Sequence, residues 1–441
     1  MHQLFYILLC LIIIMYLIIK KRRPDFLMIY ALSSIVYYLP LILGQLNDFE
    51  YINKKLIFLP TSINIKTYTF GFLNLLICFY WIILKDMLFN KYKPISYNSD
   101  NRETLVINRF SFLTLCCLLY SLYNNRNIIF AAHFDKVQLV QNLGIIDSIA
   151  RYFSMYIIVY AFTSINSNRI TKFYALVFIV YSFIMGRRSD FILSSMVCVL
   201  FFFIRTYKNK NLLYYAKKYK LLVAVCILVA ITIFPLKRTL PLFISGKFID
   251  GIKQTFILIF EPKTYLISES NSITLYINKI VNANYSKPFV SYKNAFIGLI
   301  PLIETFSKGK LGGNTFGILF QQDLFPTITK EVMGLAGTFW GEAITNGGFI
   351  LLIMMLNFVM FAICYIEKVA ITSKRQLIRP VFLIIGIHLS FYIHRLLLTD
   401  IMDLLKFMLA TLFILYIVFL ISRSIGPVKF ISKKKEVLHE N

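Results

Sequence analysis

The sequence predicts an all-α, polytopic integral membrane protein of about eleven transmembrane helices with one large extracytoplasmic loop. Three observations predict it. Apolar residues make up 58% of the 441 positions, well above the roughly 45–50% of a soluble domain. Apolar runs recur along the chain, many near the roughly 17–25 residues that cross a bilayer. Lys and Arg collect in alternate connections, as the positive-inside rule requires.

The first run, Leu4–Ile19, precedes Lys20-Lys21-Arg22-Arg23. A signal peptide has its charge before the apolar core, so this run reads as a retained span with its amino end outside. The second span is Phe26–Leu46, followed by an outer loop, Asn47–Lys66, with Asp48 and Glu50. Thr67–Leu84 returns to an inner loop that carries Lys85, Lys91, Lys93, Arg102 and Arg109. Phe110–Tyr123 and Ile149–Ile165 are the fourth and fifth spans. Two short pieces, Phe173–Met185 and Phe191–Ile204, flank Gly186-Arg187-Arg188-Ser189-Asp190. An inner basic loop, Arg205–Lys220, leads to the eighth span, Leu221–Leu236. The last three spans are Ala343–Ile366, Pro380–Leu397 and Ile401–Ile421. Gly and Pro are sparse, which predicts long helices; an open sheet in lipid would leave backbone groups unpaired.

This order gives a membrane bundle over 1–235, a large outer loop over 236–340, three further spans over 341–422 and a basic inner tail over 423–441. The predicted inner segments hold 26 of the 47 Lys/Arg residues, the 236–340 loop holds 11 and all other positions hold 10. Loops longer than about 60 residues escape the charge rule, so the bias supports this orientation. It also accounts for the net charge of +26. The lysines lie at span ends, not in a basic-aromatic recognition module, which argues against a nucleic-acid partner. The seven cysteines fall in apolar runs with no CxxC or Cys/His cluster, which argues against a zinc site or a disulfide framework. No metal or other cofactor is expected.

Arg187 and Arg188 are the first site candidates. Their flanking apolar pieces span about 20 Å each at the helical rise, short of the roughly 30 Å hydrocarbon core. The tip between them is therefore expected near headgroup depth, where arginine needs a polar partner. Ser189 and Asp190 resemble an N-cap, and a helix N-terminus with guanidinium forks suits a phosphate. The competing reading is that the pair snorkels to headgroups and bonds Asp190. Arg151, Lys237 and Arg238 stand at outer span ends and have the same two readings. In the tenth span, His388 and Arg395 share a helix face about 10 Å apart along the axis, near His394. Either they form an intramembrane site, or the histidine is satisfied by a neighbouring helix and Arg395 pairs with Asp400 or Asp403. Glu342 begins an apolar span beside glycines, with Asn346 one turn on. It reads as a general base or as an acid favoured by the helix dipole. In the loop, Ile273, Tyr276, Ile277, Ile280 and Val281 have the spacing of one helical packing face.

The many spans, the Gly186-Arg187-Arg188 hairpin, the late outer loop and the Gly341-Glu342-(x)3-Asn346-Gly347-Gly348 stretch resemble bacterial O-antigen and capsular polysaccharide repeat-unit polymerases (Wzy-type). The resemblance covers nearly the whole chain in layout, and residues 186–190 and 337–348 in motif. It implies a multi-pass protein of the bacterial inner (cytoplasmic) membrane whose substrate is an oligosaccharide carried on undecaprenyl diphosphate. It also implies a partner that sets chain length, and metal-independent, inverting glycosyl transfer on the outer face. Functional arginines of the family's outer loops would map onto Arg187, Arg188 and Arg238. The related ligases use a histidine in the large loop, and residues 236–340 contain none. Catalysis is thus expected from Glu342, Arg187 and Arg188, and substrate binding from Arg151, Arg238, Asn346, His388 and Arg395. Alternatives are an O-antigen ligase, a membrane glycosyltransferase with a lipid-phosphate sugar donor, using Asp48 or Glu50, and a flippase or transporter.

Overall fold

The computed structural model describes residues 1–20, 24–52, 55–88, 101–129, 144–164, 166–185, 188–206, 239, 242–243, 246–260, 266–288, 292–293, 320, 323–324, 338–373 and 375–424. The chain is mostly helical. In chain order the elements are α1 (His2–Ile19), α2 (Phe26–Tyr37), α3 (Leu39–Leu43), β1 (Leu46–Ile52), β2 (Lys55–Thr61), α4 (Ile65–Leu88) and α5 (Asn101–Asn124). Then come α6 (Arg126–Ile129), α7 (Ile145–Thr163), α8 (Arg169–Ile184), α9 (Arg188–Thr206), α10 (Phe248–Phe260) and α11 (Leu266–Asn282). The last are α12 (Phe339–Thr372), α13 (Arg379–Ile387), which continues into a π-turn over His388–Tyr392, and α14 (Leu398–Ser424). Among the described residues, six helices are long and apolar enough to cross a membrane: α1, α4, α5, α7, α12 and α14. The eighth predicted span, Leu221–Leu236, lies outside the described residues.

Three predicted spans are broken, not continuous. The second ends at Tyr37 and resumes as α3, with Pro40 in its first turn. Proline has no N–H for the ladder and its ring meets the preceding turn. The ninth divides at Gly347 (φ −158°) and Gly348 (φ +64°), the latter a left-handed position that suits glycine. The carbonyl of Thr345, left over at this break, accepts from the Lys287 N–H at 3.1 Å. The tenth loosens into the π-turn, where the Ser390 carbonyl accepts the Ser33 hydroxyl at 2.8 Å.

The outer loop expected over 47–66 is instead an antiparallel hairpin, with Asp48 opposite Leu59 and Ile52 opposite Lys55. So the fold is not strictly all-α. Two stretches with aromatic and aliphatic residues separated by Asn53-Lys54 carry that signal. Helix α11 docks on the hairpin through polar ladders. Asn271 and Asn47 exchange hydrogen bonds at 2.8 and 2.6 Å, and Asn278 accepts from the Asn64 N–H at 2.8 Å and the Thr67 hydroxyl at 2.9 Å. Ile273, Tyr276, Ile277, Ile280 and Val281 are all buried, as their spacing predicts. Gly341 permits the close approach of α12, since a Cβ there would meet Ile280 at 2.9 Å. Farther along the loop segment, the Tyr285 hydroxyl and Lys287 hold the Asp323 carboxyl below its ordinary range.

At the bundle end predicted to face the cytoplasm, Lys85 of α4 is clamped between Asp25 (2.8 Å) and Glu367 (2.7 Å). Asp25 caps α2 through the Met28 N–H, and Glu367 accepts from the Phe26 N–H. Arg379 is buried and donates to the carbonyls of Ala370 and Ser373, both at 3.1 Å. It closes the carboxyl end of α12, a structural role not singled out from sequence.

Candidate functional site

The sequence places Arg151 at the start of one apolar run and Asp190 at the start of another. The fold sets these two helix starts side by side, and the pair forms a fork. Arg151 Nε donates to Asp190 Oδ2 at 2.8 Å and Nη2 to Oδ1 at 2.7 Å. Bidentate charge-assisted geometry of this kind is the strong form of such a pair. The Asp190 side chain is 3% exposed and that of Arg151 32%, so the guanidinium keeps an accessible edge.

That edge faces a pocket of about 270 Å³ where the first turns of α7 and α14 meet the end of the tenth span. Arg151, His388, Tyr392, Arg395, Asp400 and Asp403 are its polar lining, with Ser148 at the margin. Tyr152, Leu396, Leu404 and Phe407 supply the apolar wall. Tyr152 and Phe407 stack at 5.0 Å, fixing that wall. The Arg395 guanidinium lies 5.7 Å from the Tyr392 ring centre. His388 Nδ1 is 2.8 Å from the Ile384 carbonyl; a carbonyl only accepts, so Nδ1 carries the proton and Nε2 is the nitrogen left for exchange. Asp403 pairs with Lys406 at 2.7 Å. Asp400 is exposed and accepts the Leu397 N–H at 2.8 Å, capping α14.

Three predicted binding residues, Arg151, His388 and Arg395, therefore line one cavity. Glu342 does not line it. It is fully buried and accepts the Leu398 N–H at 2.8 Å, at the start of α14. Asn346 donates to the Glu342 carbonyl at 2.6 Å. In the loop segment, burial, and then the Glu342 charge, push the Tyr292 phenol up. Arg187 and Arg238 lie outside the described residues, and Arg188 opens α9 with its side chain outside them. Helices α8 and α9 have 16 and 19 residues, about 24 and 28 Å at the helical rise. Each is longer than the apolar piece that predicted it, α8 by residues at its amino end and α9 by residues at both ends. Asp190 meets Arg151 in addition to standing in the first turn of its own helix.

His394 belongs to a separate buried knot. Trp340 Nε1 donates to its Nδ1 at 3.2 Å, and its Nε2 is 3.1 Å from the Ser34 hydroxyl. Indole nitrogen only donates, so Nδ1 is unprotonated and the ring is neutral. Rings of Tyr30, Tyr37 and Tyr38 surround it. This knot pins the start of α12 to α2. Asp48 is engaged by Lys279 at 2.6 Å, and the Glu50 side chain lies outside the described residues. Asp400 and Asp403 were foreseeable only as partners for Arg395. Two acids three apart at the start of an apolar run are their signal.

Comparison of the chain with protein-family models, with curated proteins and with solved structures finds no match.

Proposed function

We propose that this chain is a polysaccharide repeat-unit polymerase, a glycosyltransferase of the bacterial inner membrane. Its substrates are oligosaccharide units carried on undecaprenyl diphosphate. The observation that carries this reading is the single pocket that combines Arg151, Arg395 and His388 with Asp400. Two guanidinium groups suit a diphosphate, and a facing carboxylate suits a hydroxyl proton.

In the proposed reaction, a sugar hydroxyl of one unit attacks the anomeric carbon of the growing chain from the face opposite the diphosphate. The new C–O bond forms as the bond to the diphosphate oxygen breaks, which inverts the anomeric centre. Arg151 and Arg395, with Arg187 and Arg188 as the resemblance implies, stabilise the charge that gathers on the departing diphosphate. The hydroxyl proton passes to a carboxylate. Asp400 is the one on the pocket wall that is not paired with Lys406, while Glu342 holds the start of α14. Asn346 donates to the backbone carbonyl of Glu342, and Arg238 belongs to the same side of the membrane in the predicted topology.

The test is a gel of polysaccharide from cells that lack the native chain and carry variants of it. The wild-type chain restores a ladder. Arg151→Ala with Arg395→Ala gives single-repeat products at normal protein level. A full ladder from that double variant refutes the assignment of the pocket.

A further inference from the structure

Helix α10 is the described element whose faces fit neither a bundle interior nor open water. Phe248, Ile249, Ile252 and Phe256 are between 51% and 83% exposed. They recur at helical spacing and form one apolar stripe. Asp250, Lys253 and Gln254 occupy another face, with Lys247 just ahead of the first turn, and all are exposed. The helix is held from a third side. A Cβ on Gly251 would meet the Phe243 ring at 2.9 Å, and the Thr255 and Thr239 hydroxyls are 2.6 Å apart. These contacts leave the stripe exposed.

The helix has 13 residues, about 20 Å at the helical rise, against roughly 30 Å of hydrocarbon. It is too short to cross, and Asp250 and Lys253 lie within its length. A short helix with a strong apolar stripe and a charged opposite face belongs at the boundary between headgroups and acyl chains. The helices long and apolar enough to cross a membrane present the same kind of exposed surface, with Leu8, Phe112 and Phe358 each more than half exposed. Lipid is thus already the medium around this chain. Lys247 and Lys253 add affinity for anionic headgroups.

We infer that α10 lies flat in the bilayer surface, with Ile249, Ile252 and Phe256 among the acyl chains and Lys247 and Lys253 at the headgroups. The occupant of the stripe is phospholipid. This is independent of the reaction proposed above, because it requires no substrate and no pocket residue.

The experiment is nitroxide scanning of the full chain, with its native cysteines replaced, in vesicles of phosphatidylglycerol and phosphatidylethanolamine. Labels at I249C, I252C and F256C should collide with oxygen and be hidden from a water-soluble nickel chelate. Labels at D250C, K253C and Q254C should show the reverse. Nickel access along the stripe overturns the proposal. So does shielding of the stripe from both reagents, since protein would then cover it. Should the cysteine-free chain not fold, a diazirine photolabel dissolved in the same vesicles is applied to the wild-type chain. Modification of α10 at Ile249, Ile252 or Phe256 supports the proposal, and modification of α1 without α10 overturns it.

Discussion

At the scale of single residues, the Arg151–Asp190 fork joins the bundle to the proposed chemistry. Lysine keeps the charge but is a point donor without the planar fork. Arg151→Lys is therefore expected to melt within a few degrees of the wild-type chain in detergent and to make shortened polymer on a gel. Glu342 and Asp400 separate in the same way. Glu342→Gln keeps an acceptor for the Leu398 N–H and should cost about 1 kcal/mol or less, the scale of a helix-end charge, while the ladder persists. Asp400→Asn should slow elongation by about 10²–10⁴-fold, the usual contribution of a general base. The opposite pattern, with the ladder lost in Glu342→Gln and kept in Asp400→Asn, returns the base to Glu342. Much of this site was visible in the sequence as isolated charges at span ends. What was not visible was pairing. Arg151 and Asp190 are 39 positions apart, and only helix packing decides which of several outer charges Arg151 meets.

Among the elements, spans were legible because apolar length is a local property. Their breaks were less so. Pro40 and the Gly347-Gly348 pair gave direct signals, but the π-turn at His388–Tyr392 depends on Ser33 from α2 accepting the role of partner to the Ser390 carbonyl. The packing face of α11 was legible because five apolar residues share one side of it. The hairpin at Leu46–Thr61 was not legible because the charges Asp48, Glu50, Lys54 and Lys55 between two apolar spans fit a solvated loop equally well. The inner clamp was missed as well, since Lys85 counted only toward charge bias. Its worth is testable. Lys85→Met removes the cation held between Asp25 and Glu367, and breaking a buried pair from one side costs about 3–5 kcal/mol. The variant should lose a large part of its melting temperature in detergent. Adding Asp25→Asn and Glu367→Gln should recover much of that loss. An unchanged melting temperature in Lys85→Met would show that the clamp is not structural.

For the whole molecule, the pocket lies where α7, α9 and α14 begin and the tenth span ends, and all four positions belong to the side predicted to face outward. The clamp lies at the other end. This polarity depends on topology, which cysteine labelling in intact cells can read. A Cys at position 308 should react with an impermeant maleimide and one at position 210 should not; the reverse would put the pocket in the cytoplasm, where the proposed reaction has no role. The most direct measurement of the central claim uses the purified chain in vesicles with undecaprenyl-diphosphate-linked repeat units as the only substrate. The account predicts a ladder of linked units together with release of undecaprenyl diphosphate, both lost in the Arg151→Ala, Arg395→Ala double variant. Translocation of single units across the vesicle membrane, with no linked product and no released lipid diphosphate, would contradict it.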